Sequence, residues 1–310
     1  MKKAEIWIVG GGKGGTGKTL VSSVIGASLS KNGKKVILID GDIGGSNLHT
    51  FLGIRNPEFS LSDFFEKKKP LKSLVLKTEI KGLNLIAGDI KTINPMSFKY
   101  IQRLKLYRDI KKLEADIIII DLGAGTVLNT LDTFLLADNM ILVTTPEITS
   151  IENLYLFLKK VIIRKVNDIL YEKGFNNLVK DWMKNGRDSE NKQKFKDFMN
   201  FIDTLEPGLK KTVKENLHKF RVNLIINQVR DEEHLNTGIL LKNVLRRHFE
   251  IDVLFSGFIL IENALSEMIN SNSPVKNISE KILLMNKFEN ITRNISSGKD
   301  ISFEELKNEK

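Results

Sequence analysis

The stretch Gly12-Lys13-Gly14-Gly15-Thr16-Gly17-Lys18-Thr19 constrains this chain more than any other. It follows an apolar run, Ile6 to Val9, that reads as a buried strand, and precedes Leu20 to Ser30, which reads as a helix. A strand, a glycine loop and a helix in that order build a phosphate cradle. Glycines let successive backbone N–H groups face one concavity, and the helix N-terminus adds partial positive charge. In the GxxxxGK[ST] pattern, Gly12, Gly14, Gly15, Thr16, Gly17, Lys18, Thr19 and Leu20 line the cradle. Lys18 is expected to reach the β- and γ-phosphates, and the Thr19 hydroxyl to ligate magnesium. Glycine-rich turns also serve tight packing or dinucleotides, but the terminal Lys-Thr pair sets this loop apart from those.

Two further apolar runs end in aspartate. Lys35 to Asp40 reads as a parallel strand buried on both faces, and Asp116 to Asp121 repeats the pattern. Asp40 is followed by Gly41-Asp42, and two carboxylates beside a triphosphate repel it unless a cation lies between them. Shorter strands are expected at Leu83–Ala87, Met140–Thr144, Val222–Asn227 and Asp252–Phe258, with a helix over Pro95 to Leu113 that is basic on one face. The fold class is therefore α/β: a single P-loop NTPase domain over residues 1–310, with a mostly parallel sheet flanked by helices.

Lys13 adds what an ordinary phosphate loop does not need. With it the loop reads KGGxGK[ST], the deviant Walker A pattern, and the chain resembles the MinD/ParA family of dimerising ATPases. The order of motifs supports this: Asp40 to Leu48 approximates D-x-D-x-G-x-x-N-L, and Asp121-Leu122-Gly123-Ala124-Gly125 approximates the second switch. Within the family the chain looks nearest the flagellar-number regulator branch (FlhG, FleN). The resemblance covers about residues 4–160 and 221–295. It implies ATP/ADP and Mg²⁺ as cofactors, an ATP-dependent homodimer, and slow hydrolysis stimulated by a protein partner. Lys13 would touch the partner subunit's phosphates, Asp42 would position the attacking water, and Thr19, Asp40, Asp42 and Asp121 would surround the magnesium. Glu147 would approach the partner's nucleotide, although a first-turn glutamate also suits a helix dipole. Asn227 would hold the adenine ring, and strand-end asparagines are also common turn residues.

Residues 164–220 depart from the compact family pattern and read as a helical, basic insertion. Between 159 and 221 there are 16 Lys and Arg against 9 Asp and Glu, which places most of the net charge of +10 here. Trp182, Phe195, Phe198 and Phe201 lie among the lysines, a mixture that suits an acidic partner, nucleic acid or a membrane surface. The insertion can equally fold over a small core with its lysines in solvent. Ile278, Ile282, Met285, Phe288, Ile291 and Ile295 form one helical stripe, read as core packing. Residues 296–310 are read as a disordered tail whose acids suit anionic lipid poorly. His49 is read as a loop or packing residue. The chain has no cysteine, which fits a reducing, cytoplasmic setting and removes thiolate ligation of clusters. Peripheral contact with the inner face of the plasma membrane stays open, as does DNA as the bound surface in a partitioning role.

Overall fold

Runs that are apolar at every position form strands dry on both faces. In the computed structural model, which describes residues 3–42, 45–88, 100–123, 128–175, 195–271, 274–302 and 304–305, these runs pair into one eight-stranded sheet. Its strands are β1 (Glu5–Gly10), β2 (Val36–Asp40), β3 (Leu76–Lys77), β4 (Leu83–Ile86), β5 (Ile117–Asp121), β6 (Asn139–Thr144), β7 (Arg221–Val229) and β8 (Asp252–Leu260). The spatial order is β3-β4-β2-β5-β1-β6-β7-β8, parallel throughout except for the short β3–β4 pair. Each expected strand is present. The two-residue β3 carries too little periodicity to be read from sequence.

The helices are α1 (Lys18–Lys31), α2 (Leu48–Phe51), α3 (Leu61–Phe65), α4 (Tyr100–Ile110), α5 (Leu128–Phe134), α6 (Ile148–Glu172), α7 (Phe195–Leu205), α8 (Leu209–His218), α9 (Glu232–Phe249), α10 (Asn263–Ile269), α11 (Pro274–Glu280) and α12 (Ile282–Ser297). Pleat alternation divides the core between the two faces of the sheet. Ile6 and Ile8 of β1 join Phe134, Phe157 and Leu235 from α5, α6 and α9. Trp7 and Val9 join Val24, Ile278 and Phe288 from α1, α11 and α12 on the other face.

Two expectations need correction. The stripe from Ile278 to Ile295 lies on two helices: Lys281 is extended between α11 and α12. The Ser279 carbonyl accepts from the Lys31 ammonium of α1, so it is used across the layer. Ile278, Met285, Phe288, Ile291 and Ile295 are nevertheless buried, as core packing requires. The tail does not lose structure at residue 296. Asp300 accepts from Lys242 (3.1 Å), Arg246 (2.9 Å) and the Phe255 N–H (2.9 Å). Ile301 is buried and donates its N–H to the Phe255 carbonyl, so this segment covers part of the edge strand β8. The Lys242 side chain is nearly buried, and a buried ammonium needs such a counter-charge.

The expected insertion is helical where it is described. Helix α6 runs unbroken through the Lys159–Lys165 knot to Glu172, and Gly174 just beyond it has the left-handed backbone that suits a helix stop. Phe198, Met199, Ile202, Leu209, Val213 and Leu217 of α7 and α8 point into the main core, and Phe195 packs on Phe249. Phe195 and Phe198 of α7 therefore serve mainly to attach it, while Phe201 is exposed. Arg164 is paired with Asp132 at 2.8 Å, and Lys214 with Glu250 at 2.6 Å. Trp182, Ala124, Gly125 and the start of the helix expected from Pro95 lie outside the described residues.

Candidate active site

Parallel strands bring distant loops to one edge, because every strand ends on the same side. Asp40 at the end of β2 is in register with Asp121 at the end of β5, and Val9 of β1 is in register with Asp121 on its other side. The phosphate loop and both acids therefore meet, although Asp40 and Asp121 are far apart in sequence.

The loop leaves β1 at Gly10 and enters α1 at Lys18. Gly14 and Gly15 face solvent, while Thr16 and Lys18 are buried. Gly12 lies against the backbone of Asn153 in α6. The Leu20 side chain is in the core, so only its backbone remains to serve the cradle. The Lys18 ammonium folds inward and donates to the Lys13 carbonyl at 2.9 Å. Burial lowers its pKa, opposed by the charges of Asp121 and Asp42.

The acids are crowded and poorly solvated. Asp121 is raised to about 6, chiefly by burial, although the Thr19 and Ser22 hydroxyls donate to it. The Ser22 bond is 2.9 Å long. Asp40 is raised to about 7 by burial and then by Asp121, and it accepts the N–H groups of Asp42 and Leu48 at 3.1 Å each. Asp42 is also raised by burial, with Lys18 pulling the other way. The Gly123 backbone lies so close to Asp42 that a Cβ there would come within 2.3 Å of Oδ1, so only glycine allows this approach between the two switch segments. Among the described residues no three acids converge as a ready-made metal cage, but Asp121 with the Thr19 hydroxyl, and Asp40 coupled to it, are oxygen donors of the kind a hard divalent cation takes. Thr19, Asp40, Asp42 and Asp121 would hold it, directly or through water. Among the described residues His49 is buried in α2, a packing position.

This crowding predicts an unusual pH response. Between the ordinary aspartate value of 3.8 and about 7, folded Asp40 keeps a proton that the unfolded chain has released. Its contribution to stability therefore falls as pH rises through that window. Nucleotide- and metal-free Asp40→Asn is expected to melt a few degrees above the parent near pH 7.5 and by a clearly smaller margin near pH 5. Thermal denaturation followed by circular dichroism in EDTA checks this. A variant that melts lower at both pH values would count against the strained-acid description.

Lys13 points the other way. Its ammonium bonds Glu147 at 3.2 Å and Thr149 at 3.0 Å, at the start of α6, and its side chain is 40% exposed. Glu147 is the residue before the first turn of α6, but its side chain does not cap the helix. In the same turn Thr145 and Ser150 bond each other at 2.8 Å. Thr149 was missed by sequence reasoning, and the only signal for it was adjacency to Glu147. Asn227 reaches the phosphate loop itself, with its amide donating to the Thr16 carbonyl at 2.9 Å. Beyond β8, Glu262 pairs with Lys287 across a hollow lined by Leu260, Leu265 and Phe288.

A glycine cradle with an inward lysine, two strand-end aspartates and a loop aspartate defines the nucleotide site of a P-loop NTPase. The chain belongs to the ParA/MinD family: the ParA family model, described as NUBPL iron-transfer P-loop NTPase, matches residues 2–163. It is similar to the septum site-determining protein MinD of Thermotoga maritima, with 36% identity over 157 residues, 48% of this chain and 55% of that protein. It is also similar to the antiactivator FleN of Pseudomonas aeruginosa, with 27% identity over 161 residues, 51% of this chain and 57% of that protein. The chain spans about half the length of the curated relatives it matches. Among solved structures, a chain of the Aquifex aeolicus MinC:MinD complex superposes with a TM-score of 0.62 at 22% identity, covering 96% of this chain and 98% of that one. Pyrococcus horikoshii MinD complexed with Mg-ADP gives 0.58 at 20%, covering 94% and 96%. A Borrelia burgdorferi plasmid partition protein gives 0.56 at 18%, covering 96% and 100%. These likenesses establish the shared fold.

Proposed function

We propose that this chain is an ATP-driven switch whose output is its own pairing: two subunits close face to face on ATP and magnesium, then separate after hydrolysis. The observation that carries the reading is the division of labour between two lysines. Lys18 is buried and turned into its own cradle, whereas Lys13 is half-exposed on the outer lip and bonded to surface groups of α6. A cation on the outer lip is free to meet a neighbour's phosphates after giving up two weak surface contacts. Glu147, released at the same moment, then faces the approaching subunit.

Within each cradle the loop N–H groups and Lys18 bind the β- and γ-phosphates. Magnesium, when bound, neutralises charge between the acids and the triphosphate. Asp42 accepts a hydrogen bond from the attacking water and aligns it. Lys13 of the second subunit stabilises charge spreading over the phosphoryl oxygens, the part an arginine finger plays elsewhere. Turnover is slow because the site is complete only in the pair.

The cellular role that fits best is spatial regulation with a protein partner, of the flagellar-number or division-site kind, at the cytoplasmic side and with peripheral membrane contact. The likeness to MinD and FleN supports it. The second reading, a DNA-partitioning ATPase, draws on the basic balance of residues 159–221. Inward-facing Phe198 and in-cis pairing of Arg164 and Lys214 weaken that reading. An iron-cluster carrier is disfavoured by the lack of cysteine. Multi-angle light scattering of the full chain tests the main proposal. A mass near 70 kDa, twice 35.2 kDa, is expected with Mg-ATP and a mass near 35.2 kDa with ADP. One mass under both conditions would sink it.

A further inference from the structure

Asn227 sits where β7 stops being a regular strand. The β7–β8 register slips between Ile226 and Val229, and Gln228 adopts a left-handed backbone with φ of 61°. A glutamine there costs energy, of the kind stored at functional positions. The Asn227 side chain holds that turn: its Oδ1 accepts the Gln228 N–H at 2.9 Å. The other end of the same amide donates to the Thr16 carbonyl at 2.9 Å. The residue is 5% exposed, so both bonds are sheltered from water. The loop is shaped to receive this amide. Gly17 has φ of 90°, and a Cβ at that position would lie 2.1 Å from Asn227 Nδ2. Three features therefore converge on one contact: a strained strand end, a doubly bonded buried amide, and a glycine that gives it room.

We propose that Asn227 is a positioning residue for the phosphate loop, acting by fixing the Thr16–Gly17 peptide plane, in addition to any contact with a base. In a trans peptide the carbonyl and the following N–H point in opposite directions. With the Thr16 carbonyl held toward Asn227, the Gly17 N–H is turned away from Asn227. That N–H is the kind of donor a cradle presents to phosphate. The inference rests on the reading that this loop binds polyphosphate, and it says where the loop's preorganisation comes from. The strand end of β7 sets the loop from outside, so a bond far from the phosphates in sequence controls their affinity.

The test uses a ligand with no base. Calorimetry of the full chain with magnesium compares ATP, GTP and inorganic tripolyphosphate for the parent, Asn227→Ala and Asn227→Ser. Serine keeps a short acceptor for the Gln228 N–H but cannot reach Thr16, which separates the turn from the clamp. Both variants are expected to lose about tenfold in affinity for tripolyphosphate, with a matching loss for ATP and GTP. The serine variant is expected to melt close to the parent, so the loss is not unfolding. A loss confined to ATP, with tripolyphosphate binding within about threefold of the parent, would overturn the proposal in favour of base reading alone. Failure of the parent itself to bind tripolyphosphate or ATP would strike at the site reading instead.

Discussion

Lys13→Ala is expected to bind ATP about as tightly as the parent and to stay at the monomer mass in Mg-ATP. Among the described residues, the lysine's tie to its own cradle is its backbone carbonyl, which accepts from Lys18 and survives the substitution. What the side chain loses is one ion pair and one hydroxyl contact at the surface, with Lys13 and Glu147 40% and 62% exposed. Such pairs contribute about 0–1 kcal/mol, so the fold should not suffer. The loss falls on the paired state, where a cation over the transferring phosphoryl group is worth on the order of 10³–10⁵ in rate. Single-turnover hydrolysis is expected to drop by about a thousandfold while nucleotide affinity holds. Light scattering and equilibrium binding read the two halves separately. A dimer in Mg-ATP would remove Lys13 from the interface.

Asp42→Ala should do the opposite to the oligomer. Asp42 is partly buried against Gly123, and it stands among acids whose mutual repulsion and burial already raise their pKa values. Removing it relieves that crowding, so ATP binding should persist and the nucleotide-free fold should be no weaker. The attacking water loses its aligning group, and general-base contributions of this kind are about 10²–10⁴ in rate. The ATP-bound pair is then expected to last for hours, where the parent falls back to monomers as ATP is consumed. A variant that remains monomeric with ATP would break the link between hydrolysis and separation.

The two substitutions together test a division visible only in three dimensions. Both lysines belong to one loop and are five residues apart in sequence, yet one turns inward and the other turns toward α6. The sequence pattern was enough to mark Lys13 as surplus to the cradle. It gave no sign of Thr149, because a threonine in a first helical turn is ordinary and its partner lies 136 residues away. Asn227 was singled out by its place at a strand end. The Thr16 carbonyl as its partner is a contact between β7 and the loop after β1, and no local pattern encodes it.

The amino-acid sequence determined the strands, the cradle and the acids by itself, because each depends on a short run: apolar residues at every position, glycines before Lys-Thr, an aspartate closing a strand. Those signals are local, so neighbouring residues suffice to read them. The tertiary structure decided the rest. It set which strands lie side by side, placing Asp40 beside Asp121. It also drew Phe195 and Phe198 of α7 inward, docked Asp300 on Lys242 and Arg246, and split the last apolar stripe at Lys281. These outcomes follow from burial and charge pairing between segments far apart in the chain, and such pairings exist only once the sheet has assembled.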